Sequence, residues 1–380
     1  MNLINPNKAI QKISFPFLMI ALFFLTLTGT SQASPLIKVK ILESKVVRVG
    51  STGSYQMRGE TGNYSLNSSS ILLRATLKGI KFNSKIWGKK IWIVPQENSF
   101  CIVDGRRYRG KILIFQKSDV LQVINELSLE DYLYGVIRWE INPNWPLASV
   151  AAQAIVARTY AFRKISNPSF DRDYHLTNTV KDQMYGGVES EDSLARIAVD
   201  LTRGEILIFQ GELVQAYYYA CCGGYSASSF DVWGEDLSYL QAMPREFCKE
   251  SPHYHWMFKI KIQELKKIFE GKGLILREIN QIKIVDWDKG GRVGELFIDS
   301  SEDKIYLTGG EFRSLIGYNK LKSTLFKVEK KGNYFIFVGK GWGHGVGMCQ
   351  WGAKVMAEKG YGVDEILKFY YPSTEIDKVY

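Results

Sequence analysis

The first third of the chain alternates short apolar runs with polar turns. The runs at residues 37–42, 71–76, 91–94 and 112–115 are rich in isoleucine, valine, leucine and aromatic residues, and Gly, Asn, Ser or Asp separates them. Short β-branched segments bounded by turn residues are typical of strands. The pattern therefore predicts a β-rich part at residues 36–123.

The pattern changes to helical spacing near residue 128. Ser128-Leu-Glu-Asp131 has the form of a helix-capping sequence, and apolar residues then recur at helical intervals as far as about Glu140. A second helix with a stripe of alanines is predicted from about Pro146 to Lys164. The alanines imply close packing of this helix against a neighbouring element.

The remaining sequence mixes both periodicities. Helices are predicted at residues 194–202, 260–270, 311–315, 350–358 and 364–370, and strands at residues 206–209, 214–219, 282–285, 296–298, 305–307, 326–328 and 334–338. The predicted fold class is α+β: a β-rich chain with a central helical block and a C-terminal glycine-rich strand followed by helices.

The glycine-rich segment places glycine at every second position from Gly339 to Gly347, with His344 inside it. Alternate residues of a strand face the same side, so five glycines would leave one face without Cβ atoms. Glycine otherwise weakens a strand and marks the close approach of a ligand or another backbone. Two interpretations follow: a bare floor for an extended polymer such as a glycan, or a tight sheet crossing with His344 in the core.

Composition narrows the class of protein. Hydrophobic residues make up 46% and aromatic residues 13% of the chain, which is typical of a folded protein with a large core. The formal net charge of +10 suits an anionic partner such as an acidic wall polymer or a membrane surface. Long Arg/Lys runs are absent, which argues against nucleic acid as the partner.

The N-terminus is typical of a secretion signal. Lys8 and Lys12 precede an apolar run at residues 13–28, and Ser31-Gln-Ala33 offers small residues at a cleavage-site spacing. The apolar run is short for a bilayer span, although an uncleaved anchor is the alternative. We expect residues 1–33 to be a leader and the protein to be exported, to the periplasm, the cell wall or the outer face of the cytoplasmic membrane.

The chain has five cysteines, and an exported protein can pair them. Cys248 is predicted to form a disulfide with Cys222 or with Cys221. A zinc site built from these cysteines and His253 or His255 is the alternative, although it lacks the paired spacing of a structural zinc site.

Glu140 is the carboxylate that stands out, because apolar residues flank it on the predicted helix. Desolvation raises a carboxyl pKa, which suits a general acid. An ordinary glutamate at a helix end is the alternative. Arg158, one helix later, is placed to pair with Glu140 or to orient a substrate oxygen. A Cys–His hydrolase built on Cys349 and His344 is a further reading.

Four segments, among others, resemble the stage II sporulation protein D family, also called the SpoIID/LytB domain. They read Leu129-Glu-Asp-Tyr-Leu-Tyr-Gly-Val-Ile-Arg-Trp-Glu140, Ala151-Ala-Gln-Ala-Ile-Val-Ala-Arg-Thr-Tyr160, Gln183-Met-Tyr-Gly-Gly187 and Gly341-Trp-Gly-His-Gly-Val-Gly-Met-Cys-Gln-Trp-Gly-Ala353. The resemblance extends over nearly all of the chain after the leader. It assigns residues 124–375 to the catalytic core and residues 36–123 to an N-terminal β-rich part.

The resemblance implies a lytic transglycosylase that cleaves peptidoglycan glycan strands after N-acetylmuramic acid and leaves anhydro ends. It aligns Glu140 with the family's catalytic glutamate and implies glycan stripped of its peptides, with a cell-wall amidase acting upstream. No cofactor is expected. The expected substrate-binding residues lie in the matching segments: Arg158, Gln183, Tyr185, Trp342, His344 and Gln350.

The loop at residues 175–183 departs from the family pattern, because some members carry a cysteine pair there and this chain has none. No metal is therefore expected at that place. A second hypothesis is a glycan-binding module without catalytic activity that stimulates an amidase. A third is a peptidase that uses Cys349 and His344.

Overall fold

The computed structural model describes residues 33–67, 70–167, 173–301 and 304–380. Residues 1–32 of the predicted leader lie outside the described residues. None of the helices in the described part of the chain is long and apolar enough to span a bilayer.

Among the described residues a run of strands precedes the first helix, and strands and helices are mixed after it, which confirms the predicted β-rich α+β class. The helices are α1 Leu129–Tyr134, α2 Ile137–Glu140, α3 Leu147–Ser166, α4 Ser193–Leu201, α5 Ser229–Trp233, α6 Ile262–Glu270, α7 Gly309–Ile316, α8 Gln350–Glu358 and α9 Val363–Tyr370. The strands are β1 Leu36–Ser44, β2 Val46–Ser51, β3 Tyr55–Gly59, β4 Gly62–Leu66, β5 Ile71–Thr76, β6 Gly79–Phe82, β7 Lys85–Ile86, β8 Lys90–Pro95, β9 Cys101–Val103, β10 Arg106–Tyr108, β11 Lys111–Lys117, β12 Val120–Ser128, β13 Leu176–Thr177, β14 Glu205–Phe209, β15 Glu212–Leu213, β16 Tyr218–Tyr219, β17 His255–Lys261, β18 Gln281–Trp287, β19 Val293–Asp299, β20 Lys304–Thr308, β21 Phe326–Lys331, β22 Tyr334–Lys340, β23 Met348–Cys349 and β24 Glu375–Lys378.

The N-terminal strands build two sheets. One has the order β13-β1-β12-β11-β8-β3-β4 and the other β10-β9-β2-β5-β6-β7. Strand β1 shows why they form: Ile37, Val39 and Ile41 alternate inward, and the strand pairs with β12 from Leu36 opposite Ser128. Side chains of these sheets and of α1, α3 and α4 enclose one hydrophobic core.

The helical block begins where β12 ends. The Ser128 side chain accepts a hydrogen bond from the Asp131 amide at 3.1 Å, which confirms the predicted N-cap. The helix does not run unbroken to Glu140, because it ends at Gly135 and restarts as the short α2. Helix α3 packs alanines against α4, β14, α8 and α9, as its small side chains predict.

Two further cores complete the chain. One lies among α3, α8, α9 and residues 207–248, and the other among β17–β22, α6 and α7. The second of these contains two three-stranded sheets, ordered β17-β22-β21 and β18-β19-β20. The predicted strand at residues 214–219 reduces to the two-residue β16, which pairs in parallel with β23.

The prediction of one extended glycine-rich strand is wrong beyond Lys340, where β22 ends. Gly341, Gly343, Gly345 and Gly347 all have positive φ, between 77° and 116°. A Cβ on Gly341 would lie 2.6 Å from the carbonyl oxygen of Cys221. The glycines therefore allow this segment to pack directly on the backbone of residues 217–223, and they do not form a bare floor for a ligand.

Candidate active site

Glu140 is the last residue of α2 and faces a groove of about 580 Å³. Ile137 is buried beneath α2, and Ile141 is buried directly after it. These two apolar anchors fix the end of the helix, so the glutamate stands at the rim of the core with its side chain in the groove. The groove also contains Trp139, Asn142, Trp145, His253 and Trp351.

The carboxylate of Glu140 is held by uncharged donors. The Met184 amide donates to Oε1 at 3.1 Å, and the Tyr218 hydroxyl donates a second hydrogen bond. Among the described residues no cation forms an ion pair with this carboxylate. Burial raises the pKa of Glu140 to about 6, against the opposing effect of the two hydrogen bonds. The group is therefore able both to give and to take a proton near neutral pH.

Gln350 fixes the backbone at the same position. Its Nε2 donates to the carbonyl oxygen of Glu140 at 2.7 Å and to Oε1 of Gln153 at 3.1 Å. Gln350 is the first residue of α8, so the packing of α8 on α3 sets where Glu140 lies. The residue predicted to bind substrate lines the groove and positions the glutamate.

The Gln183 side chain is connected to Glu140 through Tyr218. It is buried, its Oε1 accepts from the Tyr132 hydroxyl at 3.1 Å, and its Nε2 donates to the Tyr218 hydroxyl at 3.3 Å. Tyr218 then has its own proton free to donate to Glu140. This chain of hydrogen bonds runs in a single direction and gives Tyr218 a fixed orientation.

His344 holds the main chain of Tyr218 in place. Its Nδ1 accepts from the Val346 amide at 3.1 Å, so Nε2 carries the proton and donates to the carbonyl oxygen of Tyr218 at 3.0 Å. Burial lowers the pKa of His344 to about 3, which keeps the ring neutral. Neither ring nitrogen is left for Cys349, and burial raises the pKa of that thiol. This arrangement disfavours a Cys–His nucleophile.

Three predicted substrate-binding residues lie elsewhere. Arg158 is fully buried and bonds both carboxylate oxygens of Glu130, at 2.8 and 2.9 Å, so it neither pairs with Glu140 nor reaches the groove. Tyr185 is buried and donates to Asn125 at 2.7 Å. Trp342 packs edge-on against His253 at 4.5 Å and does not line the groove. All three match the family motif, but tertiary packing buries Arg158 and Tyr185 and leaves Trp342 half-buried outside the groove.

The groove's tryptophans were missed by the sequence reasoning. Trp139 is 56% exposed and its Nε1 donates to Ser190 at 2.8 Å. Trp145 and Trp351 pack edge-to-face at 4.9 Å, and the Lys354 ammonium lies 5.3 Å from the Trp351 ring. Two of these residues directly follow or precede named site residues in the chain, and that adjacency was the available signal. Flat aromatic faces beside a carboxyl group suit a sugar ring.

The buried cysteines form a group of their own. The Sγ atoms of Cys222 and Cys248 lie 2.9 Å apart, and Cys349 completes a set whose sulfur atoms lie within 4.8 Å of one another. Among the described residues no histidine belongs to this set, so it differs from the zinc alternative with His253 or His255. The disulfide between Cys222 and Cys248 stays a prediction. Peptide mapping without reductant that finds free Cys248 in exported protein would reject it.

Comparison with known proteins places this geometry in a family. The family profile described as stage II sporulation protein matches residues 117–209, and a profile described as a domain of unknown function matches residues 235–347. An uncharacterized protein of Brachyspira hyodysenteriae is 32% identical over 311 residues, which are 82% of this chain and 83% of that relative. The chain belongs to the stage II sporulation protein D family.

Two relatives with descriptive names come from Bacillus subtilis. The amidase enhancer is 29% identical over 85% of this chain, and the chain spans 50% of that protein's length. Stage II sporulation protein D is 28% identical, with 68% of this chain and 76% of that relative covered.

Proposed function

We propose that the protein is an exported lytic transglycosylase that cleaves peptidoglycan glycan strands, with Glu140 as its single acid and base. The observation that carries the proposal is the Glu140 carboxyl group: it lies in an aromatic groove, pairs with no cation among the described residues, and has a pKa raised to about 6. The family supports the choice of a cell-wall glycan as substrate.

The reaction needs one group that changes role. Neutral Glu140 gives its proton to the glycosidic oxygen as the bond from that oxygen to C1 of N-acetylmuramic acid breaks. The resulting carboxylate then takes the proton of the sugar's C6 hydroxyl as that oxygen bonds to C1. The product is an anhydro end, no water is consumed, and Glu140 returns to its neutral form.

A second carboxylate in the groove has another task. Asp192 is the N-cap of α4, and its Oδ1 accepts hydrogen bonds from the amides of Leu194 and Ala195 at 2.9 and 3.1 Å. Hydrolases that use two carboxyl groups need both of them free to act on the sugar or on water. The engagement of Asp192 favours the mechanism with one carboxyl group.

The expected substrate is glycan from which a cell-wall amidase has removed the peptides. One relative is named for an amidase, which supports a link to such an enzyme. That name also supports the second candidate, a glycan-binding protein without catalytic activity that stimulates an amidase. The position and environment of Glu140 favour the enzyme, because a binding surface gains nothing from a buried carboxyl group without a counter-ion.

The deciding experiment uses Glu140→Gln on purified peptide-free glycan strands, with mass spectrometry of the products. The amide keeps the shape of the side chain but transfers no proton, so turnover should fall by about 10²–10⁴-fold or more. Adding Gln183→Glu to this variant places a carboxyl group behind Tyr218 and should not restore turnover.

Binding to the same strands, measured by co-sedimentation, should survive in Glu140→Gln. An unchanged rate of anhydro-product formation would refute the single-glutamate mechanism. Absence of any product from the unmodified protein, together with stimulation of an added amidase, would establish the binding protein instead.

A further inference from the structure

A second groove, of about 590 Å³, lies on the C-terminal half of the molecule. Trp287, at the end of β18, and Tyr254, directly before β17, face it, and Trp287 is 50% exposed. Lys327 and Lys340 are exposed at its edge. Among the described residues that line this groove none is acidic, and the two that carry a full charge are lysines.

Glycines give this groove a main-chain surface. Gly223, Gly224 and Gly291 line it and have φ of 72°, 104° and 79°, values that side chains rarely adopt. Gly290 lines it too, and a Cβ there would meet the Tyr225 ring at 2.7 Å. The turns therefore bring backbone amides and carbonyls to the groove beside aromatic rings, which is the surface that a hydroxyl-rich ligand requires.

The two grooves share the same stretches of chain. Ala220 lines the Glu140 groove and Gly223 lines the second one, three residues later. His253 lines the first, and Tyr254 and His255 line the second. Because consecutive Cα atoms are about 3.8 Å apart, residues that line the two grooves lie within roughly 11 Å of each other at the first stretch and about 4 Å at the second. This proximity is the basis for considering one extended polymer as the ligand of both grooves.

We propose that the second groove binds a further part of the glycan strand that Glu140 cleaves, an inference that rests on the proposed function. Sugar rings pack on Trp287 and Tyr254. Peptide-free muramic acid carries a free lactyl carboxylate, and Lys327 and Lys340 bind that charge. Within the described residues neither lysine forms an ion pair, so both are available. The groove thus favours long, anionic, peptide-free strands over short fragments.

The lysines distinguish this occupant from a neutral glycan. Lys340 lies 5.7 Å from the Tyr254 ring and Lys327 lies opposite Val338 on the neighbouring strand. Cations beside aromatic faces match a ligand that alternates flat apolar sugar faces with carboxylates. An acidic peptide would pair with the lysines but would not pack along the aromatic rings of the groove, so we favour the glycan.

The test measures binding of defined glycan oligomers in the Glu140→Gln background, so that cleavage does not remove the ligand. Trp287→Ala should weaken binding of long peptide-free oligomers about tenfold and leave binding of the shortest cleavable oligomer unchanged. Tyr306→Ala is the matched control, because Tyr306 is 55% exposed on β20 of the same sheet and does not line the groove.

The charge is tested separately. Lys327→Ala/Lys340→Ala should weaken binding of long oligomers and reduce its dependence on salt, whereas Lys272→Ala/Lys283→Ala removes the same charge outside the groove and should not. Amidation of the lactyl carboxylates should abolish the difference between the two double variants.

The outcomes separate the two proposals. Equal binding of long oligomers by Trp287→Ala and Tyr306→Ala would overturn the second groove while leaving the activity of Glu140 intact. Loss of this binding in Trp287→Ala, when the protein with Glu140 intact forms no anhydro products from the same oligomers, would support the groove and refute the transglycosylase. Displacement of long glycan by an acidic peptide but not by short glycan would overturn the glycan assignment.

Discussion

Glu130 and Glu140 lie ten positions apart, one in α1 and one at the end of α2, and have opposite surroundings. Glu130 is 2% exposed and pairs through both oxygens with the buried Arg158, with added hydrogen bonds from the Gly204 amide and the Tyr380 hydroxyl. Glu140 is partly buried, receives hydrogen bonds only from neutral groups and has a raised pKa.

The difference shows what a counter-ion does for a glutamate that is removed from water: with one, the residue stabilises the fold, and without one, it can serve as an acid. A full set of charged and neutral donors compensates the desolvation of Glu130, so that carboxylate ties α1 to α3 and to the C-terminus. Glu140 has no such compensation, so its proton is held more tightly and becomes useful to a reaction.

The largest predicted effect tests the structural glutamate. Glu130→Gln leaves the Arg158 guanidinium buried without a negative partner, and the free energy of unfolding should fall by about 3–5 kcal/mol. Denaturant unfolding followed by circular dichroism measures this. Asp364→Asn, which breaks the exposed pair with Lys368, is the control and should cost less than about 1 kcal/mol. A similar small loss in both variants would remove the distinction drawn here.

The next prediction concerns the pH dependence of activity. The general acid must be protonated, and the pKa of Glu140 is raised to about 6. We expect kcat/KM on peptide-free glycan to fall about 50-fold between pH 6 and pH 8, because the protonated fraction falls by that factor. Titration of His344 does not change kcat/KM in this range, since burial lowers the pKa of His344 to about 3. A flat profile up to pH 8 would contradict Glu140 as the acid.

The same pKa predicts a smaller effect on stability. The folded state binds the Glu140 proton more tightly than the unfolded chain, so this contribution to stability is fully present below pH 4.5 and is lost as the pH rises through 6. Glu140→Gln does not titrate. Its unfolding free energy relative to the unmodified protein should therefore rise between pH 4 and pH 8, by at most about 2 kcal/mol. A constant difference across that range would exclude the raised pKa.

The smallest predicted effect concerns Tyr218, whose hydrogen bond lowers the pKa of Glu140. Tyr218→Phe removes that donor, so the alkaline limb of the activity profile should move upward by less than about one pH unit. The comparison variant is Tyr217→Phe, because in the described part of the chain its hydroxyl makes no hydrogen bond to Glu140. A downward shift in Tyr218→Phe would show that the hydroxyl does not donate to the carboxylate.

Local patterns predicted most of the elements correctly. Ser128 caps its helix, and α3 and α8 lie within about two residues of their predicted bounds. These features depend on neighbours in the chain, which a sequence displays directly. The prediction of an extended strand failed in the glycine segment because its period of two matches a strand. The positive φ at four positions instead accompanies close packing on residues 217–223 and, at Gly345, on the Arg292 side chain.

The sequence by itself determined the α+β class, the family resemblance and the apolar flanks that make Glu140 a candidate acid. Only the tertiary structure decided which motif residues serve the groove. It turned Arg158 towards Glu130, placed Gln350 on the carbonyl of Glu140, and used His344 to hold Tyr218. A pKa or a hydrogen bond depends on the atoms that surround a group in space, and residues separated by up to 210 positions supply those atoms here.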